Sequence, residues 1–225
     1  MLTAGDVVYA QGDSAGCVYN LVSGWIGLHQ DMPDGRRHIS KFQTTGAMFG
    51  FEPAGSSHCQ GATAITDSIV CAIPSERVDG LRQRHAVFNE RFVWMLEREN
   101  HMSIDALTIL AQGSAVERVA RVFCELATRL SFHGDIRSGA PLKTPLTQRL
   151  VAEATGLTAI HVNRVIRQLR ERGLVDLHDG AIIVTRPERL TEVAGTGSGV
   201  ATQWHSELHA SPQPIASLNA VAARL

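Results

Sequence analysis

The 225 residues contain no apolar run approaching the length of a membrane span, and no basic-then-apolar leader opens the chain. A helical membrane protein is therefore excluded, and a cytoplasmic one is expected. There is no overall basic charge either. The formal net charge is −1, so no global field draws the molecule onto nucleic acid. Cysteines are few. Cys17, Cys59, Cys71 and Cys124 form no CxxC and no paired spacing, and each reads first as a small buried thiol. The composition, 44% hydrophobic and 19% charged, is that of a globular chain long enough for one large domain or two small ones.

Positive charge is nonetheless present, and it is concentrated. Between Lys143 and Arg172 six cations stand against two acids, a local net charge of +4. The same window holds LTQRLVAEATGLTAIHVNRVIRQLRERGLV, Leu146 to Val175. Leu150, Val151 and Ala154 recur at helical spacing, and Gly156 falls where a helix ends and the chain must turn. Thr158 is placed to cap a second helix. In that helix Val162, Val165, Ile166 and Leu169 form an apolar stripe, while Asn163, Arg164, Arg167 and Arg170 fall away from it. This is the outline of a helix-turn-helix that reads double-stranded DNA. Arg164 matches the O6/N7 pair of guanine, and Asn163 and His161 suit neighbouring bases. Arg167, Arg170, Thr158, Thr147 and Gln148 complete the candidate surface, chiefly as phosphate contacts. Leu177 to Val184 reads as a hairpin over Asp179-Gly180, a wing beside the second helix.

The first third of the chain has a different texture. From Leu2 to about Val78 short strand-like runs alternate with glycine-rich turns, Asp34-Gly35 being the strongest hairpin signal. A small sandwich or jelly roll follows. From about Ser75 the period becomes 3.6, and a long helix is expected over Ala86–Gln112, ended by Gly113. It carries two apolar stripes. One is Phe88, Phe92, Met95, Met102, Ala106 and Ile109, with Glu99 in its middle; the other is Val93, Leu96, Asn100, Ser103, Leu107 and Leu110. Such a helix packs on its own domain and on a partner simultaneously. Ser114 to Leu130 gives another amphipathic helix, with Val116, Val119, Ala120, Phe123, Leu126 and Ala127 on one face. Phe132 to Thr144 reads as a linker, and the pattern fails beyond Leu190.

The segments AGDVVYAQGD (Ala4 to Asp13), VYNLVSGWIGL (Val18 to Leu28), DGRRHISKFQTTGAMFGFE (Asp34 to Glu52) and TAITDSIVCAIP (Thr63 to Pro74) resemble the cyclic-nucleotide-binding β-roll. With the long helix and the helix-turn-helix, residues 2 to 190 resemble the CRP/FNR family of bacterial transcription regulators. The resemblance implies an α+β architecture: a sensory roll over 1–85, a dimerisation helix over 86–112 and a winged helix-turn-helix over 113–190; the small, polar and Pro-containing stretch over 191–225 reads from its composition as a mobile tail. It implies a homodimer whose seam is the second stripe of the long helix, and RNA polymerase as a further partner. It places Arg164 at the family's readout arginine. Relatives usually carry a glutamate one residue before His161, where this chain has Ile160, which accepts no hydrogen bond from cytosine N4 and could only touch a thymine methyl.

The resemblance also bears on cofactors. In cyclic-AMP-binding relatives a Gly-Glu step and an Arg-Ser pair hold the phosphate. Here the first becomes Gly50-Phe51-Glu52 and the second Gln60-Gly61, without arginine, so the bidentate cation is missing and cyclic AMP is not expected. Cys71 falls on the last of the four cluster cysteines of the FNR branch. One thiolate does not hold a [4Fe–4S] cluster, so an iron–sulfur site requires an N-terminal extension before Met1; the reading favoured is a thiol buried in a strand. A redox-active Cys71 is disfavoured because an apolar setting raises a thiol pKa. The competing class is a jelly-roll (cupin-like) enzyme with an accessory helical domain. It needs His-x-His and a later Glu and His on one metal, and His29, His38 and His58 lack that spacing. His58, in the loop where a haem ligand would lie, reads as solvated. The expected function is a sequence-specific DNA-binding regulator on a palindromic site, controlled by a signal sensed in the roll.

Overall fold

In the computed structural model, residues 1–53, 55–131, 142–178 and 181–195 are described. The N-terminal part is a roll of two sheets. Its strands are β1 (Val7–Tyr9), β2 (Cys17–Ser23), β3 (Ile26–Asp31), β4 (Arg37–Gln43), β5 (Met48–Phe49), β6 (Gly61–Ala64) and β7 (Ile69–Pro74), ordered β1-β6-β3-β4 in one sheet and β5-β2-β7 in the other. The expected hairpin joins β3 to β4 with Asp31 opposite Arg37, and Gly35 turns the chain at φ +84°. Tyr9, Leu21, Ile26, Leu28, Phe49, Ala62 and Ala64 meet between the sheets and bury the roll's interior.

Two helices follow the roll, α1 (Ser75–Arg84) and α2 (Ala86–Gln112). The bounds of α2 coincide with the periodic stretch, and the chain leaves it at Gly113 in an extended conformation. Its first stripe faces its own domain: Phe92 is buried with Val18 and Val78, and Phe88, Met95 and Phe51 pack around them. The rings of Phe51 and Phe92 meet edge to face at 5.1 Å.

The C-terminal part comprises α3 (Ala115–Ser131), β8 (Leu142–Thr144), α4 (Gln148–Thr155), α5 (Ala159–Glu171), β9 (Val175–His178), β10 (Ala181–Val184) and α6 (Pro187–Val193). Val119, Ala120, Phe123 and Leu126 of α3 are buried against Val151, Val162, Val165, Ile166 and Leu169. Two boundaries read from the sequence change. The expected linker ends in β8, which pairs with β10 and completes a three-stranded sheet. A three-residue strand gives too little alternation to register as a strand. The helix α6 crosses residue 190, and Leu190 on it and Ala194 directly after it are buried in the core. The remainder of the expected tail, 196–225, lies outside the described residues.

The core of the C-terminal part is continuous with the roll. Ile39 and Phe42 of β4 belong to it, with Trp25 and Ile65 packed alongside, and His38 Nδ1 lies 3.0 Å from the Glu153 carbonyl oxygen of α4. Beside this junction sits a buried ionic cluster. The Arg129 guanidinium of α3, 2% exposed, donates to both Glu99 carboxylate oxygens of α2, at 2.8 and 2.9 Å. Lys41 of β4 donates to the same carboxylate at 3.1 Å, and Arg129 Nε donates to Glu125 at 2.9 Å. The acid in the middle of an apolar stripe is thus the point where roll, long helix and α3 are tied.

Burial alone would raise the Glu99 pKa, but Arg129, Lys41 and Arg98 outweigh it and hold the carboxyl far below the usual range. A depressed folded-state pKa contributes stability above the unfolded value, which is lost as pH falls through the folded one. Glu99→Gln should cost about 3 kcal/mol at pH 7, because Arg129 is left buried with part of its charge uncompensated. In denaturant titrations the difference between wild type and variant should stay constant from pH 7 to about 5 and shrink at lower pH.

Candidate nucleic-acid interface

The corner from α4 to α5 is built by short-range chemistry. Thr147 caps α4, its hydroxyl oxygen accepting from the Leu150 N–H at 3.3 Å. Gly156 takes φ +67° and ψ +21°, and its N–H donates to the Ala152 carbonyl, so the left-handed residue that ends α4 also turns the chain. Thr158 then caps α5 by accepting from the His161 N–H at 3.2 Å. Val162, Val165, Ile166 and Leu169 are buried. One side of α5 is thereby fixed against the core, and the opposite side is left to solvent.

Ile160, His161, Asn163, Arg164, Arg167, Gln168 and Arg170 are all exposed on α5. Arg164 and Arg167 have no side-chain partner among the described residues. Three other candidates are engaged. Asn163 Nδ2 donates to Gln148 Oε1 at 3.2 Å, linking α5 to α4. Arg170 Nε lies 3.4 Å from Asp176 of β9, linking α5 to the wing. The wing strands pair as expected, with His178 opposite Ala181; its tip, Asp179-Gly180, lies outside the described residues. Sequence reading passed over Gln168, which stands four residues after Arg164 on the same side. Its position was visible in the helical period, but an uncharged side chain draws no notice in a basic helix.

The second stripe of α2 is only partly covered. Val93, Leu96, Asn100 and Leu107 are exposed, Ser103 and Leu110 half-buried, and Leu107 is 69% exposed. Ser103 donates to the Glu99 carbonyl at 2.7 Å, one turn back on its own helix.

Internal contacts engage the loop between β5 and β6. Glu52 Oε1 accepts from the Cys59 N–H at 2.9 Å. Gly50 and Gly61 are closely approached: a Cβ on Gly50 would stand 2.8 Å from Tyr19, and one on Gly61 2.6 Å from His29. The interior is filled by aromatic packing, with Tyr9 stacked on His58 at 3.7 Å and Tyr19 on Phe49 at 5.6 Å.

Two expectations are overturned here. His58 is buried rather than solvated, because its ring completes this stack; burial pulls its imidazole pKa down against the opposing charges of Glu52 and Asp13. Cys71 is exposed, as is Cys59. The apolar run around Cys71 forms β7, an edge strand, and a continuous apolar run does not say which of its residues face outward. Cys17 and Cys124 are half-buried, and burial pushes the Cys124 thiol up to about 12. Among the described residues no three His, Cys, Asp or Glu side chains are grouped to hold a metal ion, and no helix is long and apolar enough to cross a membrane.

A cyclic-nucleotide-binding type of roll joined through a long helix to a winged helix-turn-helix defines the class, a DNA-binding regulator of transcription. Known proteins agree. The model of the cyclic nucleotide-binding domain matches residues 1–85, and that of the Crp-like helix-turn-helix domain matches residues 117–193. The nitrogen fixation regulation protein FixK of Rhizobium meliloti (strain 1021) is 33% identical over 187 residues, 83% of this chain and 82% of that protein. The fumarate and nitrate reduction regulatory protein of Escherichia coli (strain K12) is 25% identical over 198 residues, 88% of this chain and 78% of that protein. Among solved structures, FixK2 from Bradyrhizobium japonicum superimposes with a TM-score of 0.76 at 25% identity, over 87% of this chain and 96% of that one. TTHB099, a CRP-family regulator from Thermus thermophilus, shares the fold at a TM-score of 0.63 and 21% identity, over the same 87% of this chain and 96% of its own.

The chain belongs to the CRP/FNR family of transcription regulators. Helix-turn-helix regulators of this family bind DNA and function as dimers, and the jelly-roll enzyme alternative is set aside.

The turn itself can be tested. A Cβ on Gly156 meets no atom within 4 Å, so Gly156→Ala carries only the backbone cost of a left-handed conformation, about 1–2 kcal/mol. Thermal unfolding should show that loss for Ala and a smaller one for Gly156→Asn, since asparagine tolerates this region better.

Proposed function

We propose that the protein is a homodimeric regulator that reads a palindromic DNA site with α5 and joins its copies through the second stripe of α2. The observation that carries this reading is the outward side of α5, where Arg164 and Arg167 stand without side-chain partners among the described residues, on a helix whose other side is buried. Arg164 reads guanine, with Asn163 and His161 beside it. Arg167, Arg170, Thr158, Thr147 and Gln148 hold the phosphates and fix the register. Thr147 and Thr158 accept hydrogen bonds from backbone N–H groups as caps, and their hydroxyl protons remain to be donated to a phosphate. Arg170 exchanges an acid for a phosphate, as its partner Asp176 stands on the wing.

Val93, Leu96, Leu107 and Leu110 form the apolar seam, and Asn100 and Ser103 its polar register positions. The exposure of Val93, Leu96 and Leu107 supports that assignment. A signal acting on the roll moves α2 and α3 relative to one another, and so changes the spacing of the two recognition helices. The Lys41, Glu99 and Arg129 contacts supply the physical connection. The work of such a regulator is done in the cytoplasm, with RNA polymerase as the downstream partner. Neither cyclic AMP nor an iron–sulfur cluster is assigned to the roll.

Mobility-shift titration against a duplex selected from a random-sequence pool tests the DNA reading. Arg164→Ala should lose about 1–3 kcal/mol of discrimination at one base pair per half-site. Arg170→Ala should weaken all sequences alike and lower the salt slope by about one. If the wild type retains no sequence from the pool, the reading is wrong. For the seam, Leu107→Glu should convert the dimer to monomer in sedimentation experiments at micromolar concentration, whereas an unchanged dimer moves the interface elsewhere.

A further inference from the structure

Ile160 is 71% exposed. It is the second residue of α5, directly after the first turn opens at the Thr158 cap, and it stands open to solvent among the described residues. Its exposure is not a consequence of the stripe that packs α5: that stripe, from Val162 to Leu169, is fully buried without it. Most of the other exposed large apolar side chains lie on the roll strands or on α2. Among the described residues Ile160 alone of these stands on the helix assigned to the groove.

Its neighbours on that helix define where it points. Arg164 follows four residues later, so both side chains leave the same side of α5, about 6 Å apart along the axis. Asn163 follows at three. His161 is adjacent and exposed. The first turn of a recognition helix is the part that reaches the base edges, and an isoleucine there offers neither donor nor acceptor. The apolar group presented in the major groove is the 5-methyl of thymine.

We infer that Ile160 is a specificity-determining residue that selects thymine at one position of each half-site, by apolar contact with its 5-methyl group. The inference rests on α5 being the reading helix. Removing Ile160 exposes the thymine methyl without leaving any polar group unpaired, so the discrimination it provides is modest and purely apolar. That sets it apart from Arg164, whose loss strands the guanine acceptors.

Full-length protein is used to select duplexes from a random-sequence pool, and thymines of the recovered consensus are then replaced one at a time by deoxyuridine, which lacks only the methyl group. Replacement at one symmetry-related pair should weaken binding about fourfold per half-site, or about fifteenfold for both, the worth of one buried methyl-sized group each. Ile160→Ala should abolish that sensitivity while leaving the unfolding midpoint unchanged, because the side chain is outside the core. Ile160→Glu should move the selected base at that position from thymine to cytosine, whose N4 amino group a carboxylate accepts from. Equal binding of thymine and deoxyuridine duplexes at every position overturns the inference and leaves the DNA reading intact. Failure to enrich any sequence overturns both.

Discussion

The bidentate pair between Arg129 and Glu99 is the constraint on which the arrangement of the molecule depends. A guanidinium with 2% of its side chain exposed persists only if its charge is met and its protons are placed, and here two carboxylates do so from two helices. Glu99 also receives Lys41 from the roll. Three parts of the chain far apart in sequence therefore share one electrostatic cluster, and none of them can shift freely without uncovering charge. The apolar contacts nearby, with Ile39 and Phe42 of β4 in the same core as Val119 and Phe123 of α3, favour burial but are indifferent to the angle at which elements meet. The ion pair supplies direction.

Two helices show the same economy of surface. In α2, Phe92 and Met102 are consumed by the protein's own interior while Val93, Leu96 and Leu107 stay uncovered. In α5, Val162 to Leu169 are consumed and the arginines stay uncovered. An element that buries one side locally has its other side free for a partner, and the chemistry of that side states the kind of partner. Aliphatic spacing on α2 suits another helix; guanidinium and amide groups on α5 suit phosphates and base edges. The whole chain carries a charge of only −1, so no global field draws it onto DNA, and a local basic surface would orient the approach.

What was legible in the sequence follows from the range of the forces involved. Helices α2 and α5, the Gly156 turn and the Thr158 cap depend on residues within four positions of each other, and period, glycine and hydroxyl residues display them. The β-roll was legible as a class from short strands and glycine turns, yet the sheet order was not, because pairing such as β1 with β6 joins residues more than fifty positions apart. Glu99 was visible as an anomaly in an apolar stripe; its partner Arg129, thirty residues on, was not, since any arginine of α3 would have served equally well on paper. Cys71 and His58 depart from expectation for a related reason. Burial in a sheet depends on which strands lie at an edge and which loops fold inward, and neither is encoded locally. The pairing of Asn163 with Gln148 spans fifteen residues and two helices, and no local pattern displays it.

The same cluster limits how a signal can act. A ligand or modification shifts a two-state equilibrium only by its differential interaction with the two states. Separating Arg129 from Glu99 without a replacement partner costs about 3–5 kcal/mol, and populating the separated state nearly completely requires about 3 kcal/mol beyond that, half of what spans a full reversal of populations. A rearrangement that broke the pair would therefore demand most of the free energy that one binding event offers. A rotation of α3 about the pair that keeps the contact between Arg129 and Glu99 avoids that cost, and Arg129 holds Glu125 of its own helix throughout. The geometry thus favours the guanidinium as a pivot that is kept through the change, with the apolar contacts of Ile39 and Phe42 as the surface that slides.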